Sequence, residues 1–295
     1  MQVPPDAAEG GMTVCEVLDR IGNRGIAKIL LIALKMLGWI CVGELGANFI
    51  MQTISYSFYK GDKRLENVQF APEKIDYNKS LSGYGLSENC NSDNVILMFG
   101  GSCYVAYNSV GEFGGYYGCP VFAVDYYGTQ ESSGHMNLKT MQKASVEFYD
   151  WIQEKFPDKK ITIIGHSYGC GMAAYLASVK KSENLILISG YRDLSDLYNK
   201  VVPIFWGPFK LFITNNIIVK KYAKHTSGCK IYIFGSNADK TLSARLQKKL
   251  SACYKDASLK IYPDIVHENY LKDNRVIEDI KEIMLQNIHG DCILF

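Results

Sequence analysis

No C-x-x-C or other zinc-ligand spacing occurs among the nine cysteines, so a structural metal site is not expected. An odd number of cysteines also excludes complete pairing within the chain, and reduced thiols favour a reducing compartment. Cys103, Cys119 and Cys170 fall in or beside apolar runs, where a free thiol behaves as a small hydrophobe. An excess of one charge is missing as well: 32 Lys+Arg against 30 Asp+Glu leave a net +2. Basic residues are scattered, and the short cluster Lys220, Lys221 and Lys224 reads as a solvated helix face, so a nucleic-acid partner is not expected. No internal repeat or low-complexity tract is present. With only five histidines, the search for a general base is short.

What remains is the composition of a folded protein, 47% hydrophobic and 21% charged over 295 residues. That length suits one large α/β domain or two small ones and buries a substantial core without staples.

Residues 29–51, "ILLIALKMLGWICVGELGANFIM", are long enough to cross a bilayer and follow the basic residues Arg20, Arg24 and Lys28. Lys35 could snorkel toward that basic end, whereas Glu44 would cost about 2.5–3.5 kcal/mol near the centre of a span. A membrane anchor or membrane-lying helix is expected, against the alternative of a helix packed on the protein's own surface. No small-residue cleavage site follows, so a removed signal peptide is not expected. Met12 would serve as an alternative start. A span oriented by its basic flank would place the rest of the chain outside the cytoplasm, while the thiols favour the cytoplasm. At the other end, Cys292-Ile-Leu-Phe matches a prenylation box, a pattern with meaning only in a eukaryotic cytosol.

From residue 93 onward the pattern is regular. "NVILMF" (94–99), "PVFAVDY" (120–126), "KITIIG" (160–165), "NLILIS" (184–189), "KIYIFG" (230–235) and "SLKIYP" (258–263) are short, nearly continuous apolar runs, as expected of parallel strands covered on both faces. Helical stretches alternate with them: 137–156, with Met141, Phe148, Trp151 and Ile152 on one face, then 241–254 and 275–288. The alternation predicts an open, doubly wound sheet. Residues 52–92 read as loops with an early antiparallel hairpin. Residues 191–228 break the rhythm with "VVPIFWGPFKLFI" and two prolines, Pro203 and Pro208, and read as a cap over the strand ends; the alternative is a crossover helix with ordinary core aromatics.

The stretch "ITIIGHSYGCGMAA" passes from strand to helix through Gly165-His-Ser-Tyr-Gly169. A G-x-S-x-G turn this tight forces its central residue into strained backbone angles, and glycines remove side chains that would collide. The expectation is that Ser167 is lifted above the carboxyl edge of the sheet with its hydroxyl exposed, and that the Tyr168 N–H is aimed where an oxyanion would form. His166 is expected to project away from Ser167. Among the other histidines, His135 follows an early strand, His225 lies in the cap segment and His289 in the tail, while His267 in "YPDIVHENY" follows the last strand at the edge that carries Ser167. It is the candidate base. Asp239, after the preceding strand, is the candidate acid, with Asp193 and Asp264 as rivals. In "LMFGGSCY", Gly100 and Gly101 let the backbone turn its amides inward, and Gly101 is the candidate second oxyanion donor; an ordinary Gly-Gly turn is the alternative.

The segments "VILMFGGS", "VDYYGTQESSG", "IIGHSYGCGMAA", "FGSNAD" and "IVHENYLKD" together resemble the α/β-hydrolase superfamily, most nearly its serine-aminopeptidase-like and acylglycerol-lipase-like branch, over residues 93–288. The resemblance implies an α/β-hydrolase fold, a mostly parallel sheet with a small helical cap. It also implies Ser167, Asp239 and His267 as nucleophile, acid and base, with Gly101 and Tyr168 as oxyanion donors. Many relatives carry His-Gly where this chain has Phe99-Gly100, and that histidine braces the loop. With the N-terminal segment and the last residues outside the resemblance, the expected organisation is an N-terminal segment 1–52 with a possible membrane-associated helix, a hydrolase domain 53–290 with its cap at 191–228, and a tail 291–295. The expected chemistry is acyl transfer without metal or organic cofactor, and the aromatic-rich cap points to an ester or thioester with an apolar acyl group, from a small or lipid-like substrate. A serine peptidase and a non-catalytic binding protein on the same fold are the alternatives.

Overall fold

The computed structural model describes residues 14–61, 63–87 and 92–286. Met12, His289 and the Cys292 tetrapeptide lie outside them. The chain divides into two units between Ala47 and Asn48, and the first helix, α1 (Val14–Gly61), runs through the division.

The first unit holds the apolar part of α1. Residues Ile26–Ser55 form a stretch long and apolar enough to cross a membrane, and Ile29, Leu34 and Trp39 are 67%, 65% and 77% exposed. The helix continues to Gly61, so residues 52–61 are helical where the sequence reads as loop. Within the second unit Asn48 and Met51 are buried, and Asn48 Nδ2 donates to Thr214 Oγ1 at 2.9 Å while Gln52 donates to the Thr214 carbonyl.

The second unit is built on one eight-stranded sheet: β1 (Glu73–Asn78), β2 (Leu81–Leu86), β3 (Asn94–Phe99), β4 (Val121–Val124), β5 (Lys160–His166), β6 (Asn184–Ile188), β7 (Lys230–Ser236) and β8 (Ser258–Tyr262). Their spatial order is β1-β2-β4-β3-β5-β6-β7-β8. β1 and β2 form the expected antiparallel hairpin, β2 runs antiparallel to β4, and all pairs from β4 to β8 are parallel. Each apolar run in the sequence is one of these strands. β3 and β6 are buried along their whole length, the condition that makes near-continuous apolarity favourable.

Side-chain alternation sends Ile96, Met98, Ile164, Ile186 and Phe234 to one face, under Val276, Ile277 and Ile280 of α8 (Asn274–Gln286). On the other side Phe122 meets Trp151 of α3 (Leu138–Lys155) edge-on at 5.7 Å. Asn137 and Thr140 exchange bonds between side chain and backbone at the start of α3, which fixes where that helix begins. Five further helices belong to the described residues of this unit: α2 (Ala106–Phe113), α4 (Cys170–Val179), α5 (Leu194–Val201) and α6 (Val219–Tyr222) in the 191–228 insertion, and α7 (Ala244–Ser251).

Between β6 and β7 the insertion combines both readings of its sequence. Its last part supplies the crossover, since Tyr222 packs edge-on against Tyr175 of α4 at 5.4 Å and accepts a bond from Gln142 of α3. Its middle part is a 3₁₀ turn, Gly207–Phe212, with Trp206 59% and Leu211 86% exposed, whereas Phe205 is buried against Tyr198. Cys119 and Cys170 are buried as expected; Cys103 is exposed, at a left-handed φ of 64° in the loop after β3.

Candidate active site

Two glycines flank the turn after β5, and each is pressed against something immovable. A Cβ on Gly169 would sit 2.3 Å from the Phe99 carbonyl oxygen and 2.4 Å from that of Gly100. A Cβ on Gly165 would sit 2.7 Å from both the Cα of Cys170 and the Cβ of Ala173. The elbow therefore lies hard against the end of β3 on one side and α4 on the other. Between them Ser167 takes φ 51°, the strained left-handed conformation expected of the central residue.

From there its Oγ lies 2.8 Å from His267 Nε2, across a sequence separation of 100 residues. His267 opens a 3₁₀ turn (His267–Lys272) just after β8. Its Nδ1 is 3.0 Å from Asp239 Oδ2, in the loop after β7. Three strands thus deliver the three side chains to one edge of the sheet. Ser167 is recessed rather than exposed, retaining 6% of its accessible surface. The cause is close cover: a Cβ on Gly101 would lie only 3.0 Å from the Cβ of Ser167, so the loop after β3 rests directly on the serine. Tyr168, the next residue, is buried in the 3₁₀ turn that leads into α4, and its carbonyl accepts a bond from the Tyr191 hydroxyl at 3.0 Å. Gly101 and Tyr168 therefore flank the Ser167 side chain, one in space and one in sequence.

The rival acids are occupied elsewhere. Asp193 caps α5 by accepting from the Ser195 N–H, and its carboxylate pairs with Lys210 at 3.2 Å and Lys220 at 3.0 Å. Lys220 thus belongs to this pair, while Lys221 and Lys224 stay on the exposed side. Asp264 is exposed and pairs with Arg275 at 2.8 Å.

Asp239 is the better-furnished carboxylate. Its Oδ1 accepts the backbone N–H groups of Thr241 and Leu242 at 2.9 and 2.8 Å. Its Oδ2 accepts from His267, from the Ser189 hydroxyl at 2.5 Å and from the Tyr270 hydroxyl at 3.3 Å. Burial pushes this carboxyl up, but the bonds from His267, Ser189 and Leu242 outweigh it and hold it below its ordinary value. It is thus an anion beside the imidazole, the state that fixes the tautomer with Nε2 free to take a proton.

Three residues of this network are not among the sequence-derived candidates. Ser189 and Tyr270 both bond the carboxylate of Asp239. His166, expected to point away, instead packs its ring 5.4 Å from that of His267 and donates from Nε2 to the His267 carbonyl at 3.2 Å. Burial lowers its pKa to about 4, so it serves as a neutral brace and not as a second base. Phe99, where relatives carry a bracing histidine, stacks on Tyr126 with centroids 6.5 Å apart.

Residues 99–215 match the family model described as the alpha/beta hydrolase fold. No curated protein matches the chain. Among solved structures, an esterase of Pyrococcus furiosus is 17% identical with a TM-score of 0.56, over 76% of this chain and 98% of its own. Est1E of Butyrivibrio proteoclasticus, with ferulic acid bound, is 17% identical with a TM-score of 0.58, over 74% of this chain and all of its own. MenH of S. aureus is 15% identical with a TM-score of 0.51, over 70% and 99%. At these identities the likeness is one of fold. With its parallel sheet, its β5-to-α4 elbow and the matched segment across both, the chain has the α/β-hydrolase fold.

Proposed function

We propose that the chain is a serine hydrolase that cleaves a carboxylic ester or thioester with an apolar acyl group. The observation that carries this reading is the 2.8 Å separation of Ser167 Oγ and His267 Nε2, with Asp239 behind the imidazole at 3.0 Å. In the proposed cycle His267 Nε2 takes the Ser167 proton as Oγ attacks the carbonyl carbon. The Gly101 and Tyr168 backbone N–H groups receive the oxyanion, and His267 returns its proton to the leaving oxygen or sulfur. Water, activated by the same imidazole, then hydrolyses the acyl-enzyme and regenerates the serine. The buried Asp239 anion stabilises the imidazolium without itself becoming protonated. The apolar acyl preference is supported by the insertion, where Trp206 and Leu211 are exposed and Phe209 and Phe212 are partly so.

In the same proposal the apolar helix Ile26–Ser55 anchors the protein to a membrane, where lipid-like acyl substrates reside. Its support is the run of exposed apolar side chains and the basic flank Arg20, Arg24 and Lys28.

The substrate class is tested with p-nitrophenyl esters of rising acyl length beside aminoacyl-anilides. The proposal expects ester turnover that rises with chain length. Turnover of anilides alone would reject it in favour of a peptidase.

A further inference from the structure

We propose that Ser189 is a positioning residue of this site, which shares the Asp239 carboxylate with His267 and thereby keeps the imidazole an active base at lower pH. The inference rests on the serine-hydrolase reading above.

Ser189 follows β6 and has no exposed surface. Its N–H continues the pairing with β7 by donating to the Phe234 carbonyl at 2.8 Å, and its φ is 50°. Glycine is the residue that adopts this conformation without cost, so a serine held here brings a side chain at the expense of backbone comfort. That side chain ends in the candidate site: its Oγ is 2.5 Å from Asp239 Oδ2 and 3.1 Å from His267 Nδ1.

Asp239 accepts two N–H groups on Oδ1 and three donors on Oδ2, which saturates the roughly four lone-pair positions of a carboxylate. Every donor besides His267 draws on negative charge that would otherwise stabilise the imidazolium. Ser189 makes the shortest of the contacts to Oδ2, the oxygen that faces His267. The other groups around the imidazole do not substitute for it. Ser167 lies at Nε2, His166 is neutral, Tyr270 is a longer donor to the same Oδ2, and Glu268 is exposed.

A buried hydroxyl needs a partner in any packing role. A role in tuning makes a separate demand: removing the hydroxyl should leave Asp239 more fully charged toward His267, raise the pKa of the base, and move its loss of activity to higher pH.

The test is the rate at which a fluorophosphonate labels the full-length chain, measured from about pH 5 to about pH 9 in the wild type, Ser189→Ala and Ser189→Gly. Glycine removes the hydroxyl and also relaxes the backbone, so it separates the side chain from the strain and covers the case where the alanine variant folds poorly. The expected result is an acid-limb midpoint raised by about half a pH unit or more in both variants. A lowered plateau with an unmoved midpoint means that Ser189 only packs, and overturns the inference alone. A wild type that does not label at any pH overturns the hydrolase reading and this inference together.

Discussion

Oδ2 of Asp239 receives His267 Nδ1 at 3.0 Å and the Ser189 hydroxyl at 2.5 Å, so the carboxylate beside the imidazole is itself held from the end of the neighbouring strand β6. An amide at this position could keep the Thr241 and Leu242 N–H bonds on its oxygen, but would turn an NH2 donor toward His267 and Ser189.

Asp239→Asn should keep the fold and lose the chemistry. An amide at this position disfavours the His267 tautomer that leaves Nε2 able to accept a proton. The expected loss in the labelling or ester-hydrolysis rate is about 10⁴-fold, with the cooperative unfolding transition retained. A loss of less than about tenfold would remove Asp239 from the proposed acid role.

Gly169→Ala should cost stability as well as activity. Its Cβ would meet two backbone carbonyls, at 2.3 and 2.4 Å, neither of which can swing aside as a side chain tip can. A destabilisation of about 1–3 kcal/mol follows from such overpacking, read as a lowered Tm. A variant with wild-type Tm and wild-type labelling would show that the elbow is looser than drawn here.

Two buried groups give the folding stability opposite pH slopes. Burial pushes Asp125 up to about 7, well above the ordinary carboxylate range, so the native state holds its proton longer than the unfolded chain. Its contribution is complete below the unfolded value and is lost as pH rises toward about 7. His166 runs the other way: lowered to about 4 from 6.5, its contribution is complete above the unfolded value and is lost as pH falls through about 4. Each slope reaches at most about 1.4 kcal/mol per pH unit. In denaturant titrations between these limits, Asp125→Asn should make stability rise more steeply with pH than in the wild type, and His166→Gln should make it fall more steeply. Parallel curves for all three proteins would contradict both assignments.

Strands, order and the three proposed reacting groups were legible because each leaves a local signature. β3 reads as "NVILMF" because both of its faces are covered, and Gly165 and Gly169 announce a turn that no larger residue fits. Ser189, His166 and Tyr270 were not legible as partners of the site. Ser189 meets Asp239 across 50 residues and His166 meets His267 across 101, and both meetings exist only through the parallel register of β5, β6, β7 and β8. A serine ending an apolar strand looks like any solvated strand end. The helical course of residues 52–61 was hidden for a similar reason: at its start Gln52 bonds the carbonyl of a residue distant in sequence, Thr214.

The anchor proposal predicts that the full chain stays with membranes through an alkaline carbonate wash. A chain lacking residues 1–47 should move to the soluble fraction, because Asn48 and Gln52, which bond Thr214, remain in place. Equal release of both forms would remove the anchor.

The most direct measurement is covalent labelling with a fluorophosphonate, followed by mass mapping of the modified peptide. The proposed chemistry predicts one adduct on Ser167 and none in Ser167→Ala. Undiminished labelling of the Ser167→Ala protein would place the reactive hydroxyl elsewhere and contradict the account.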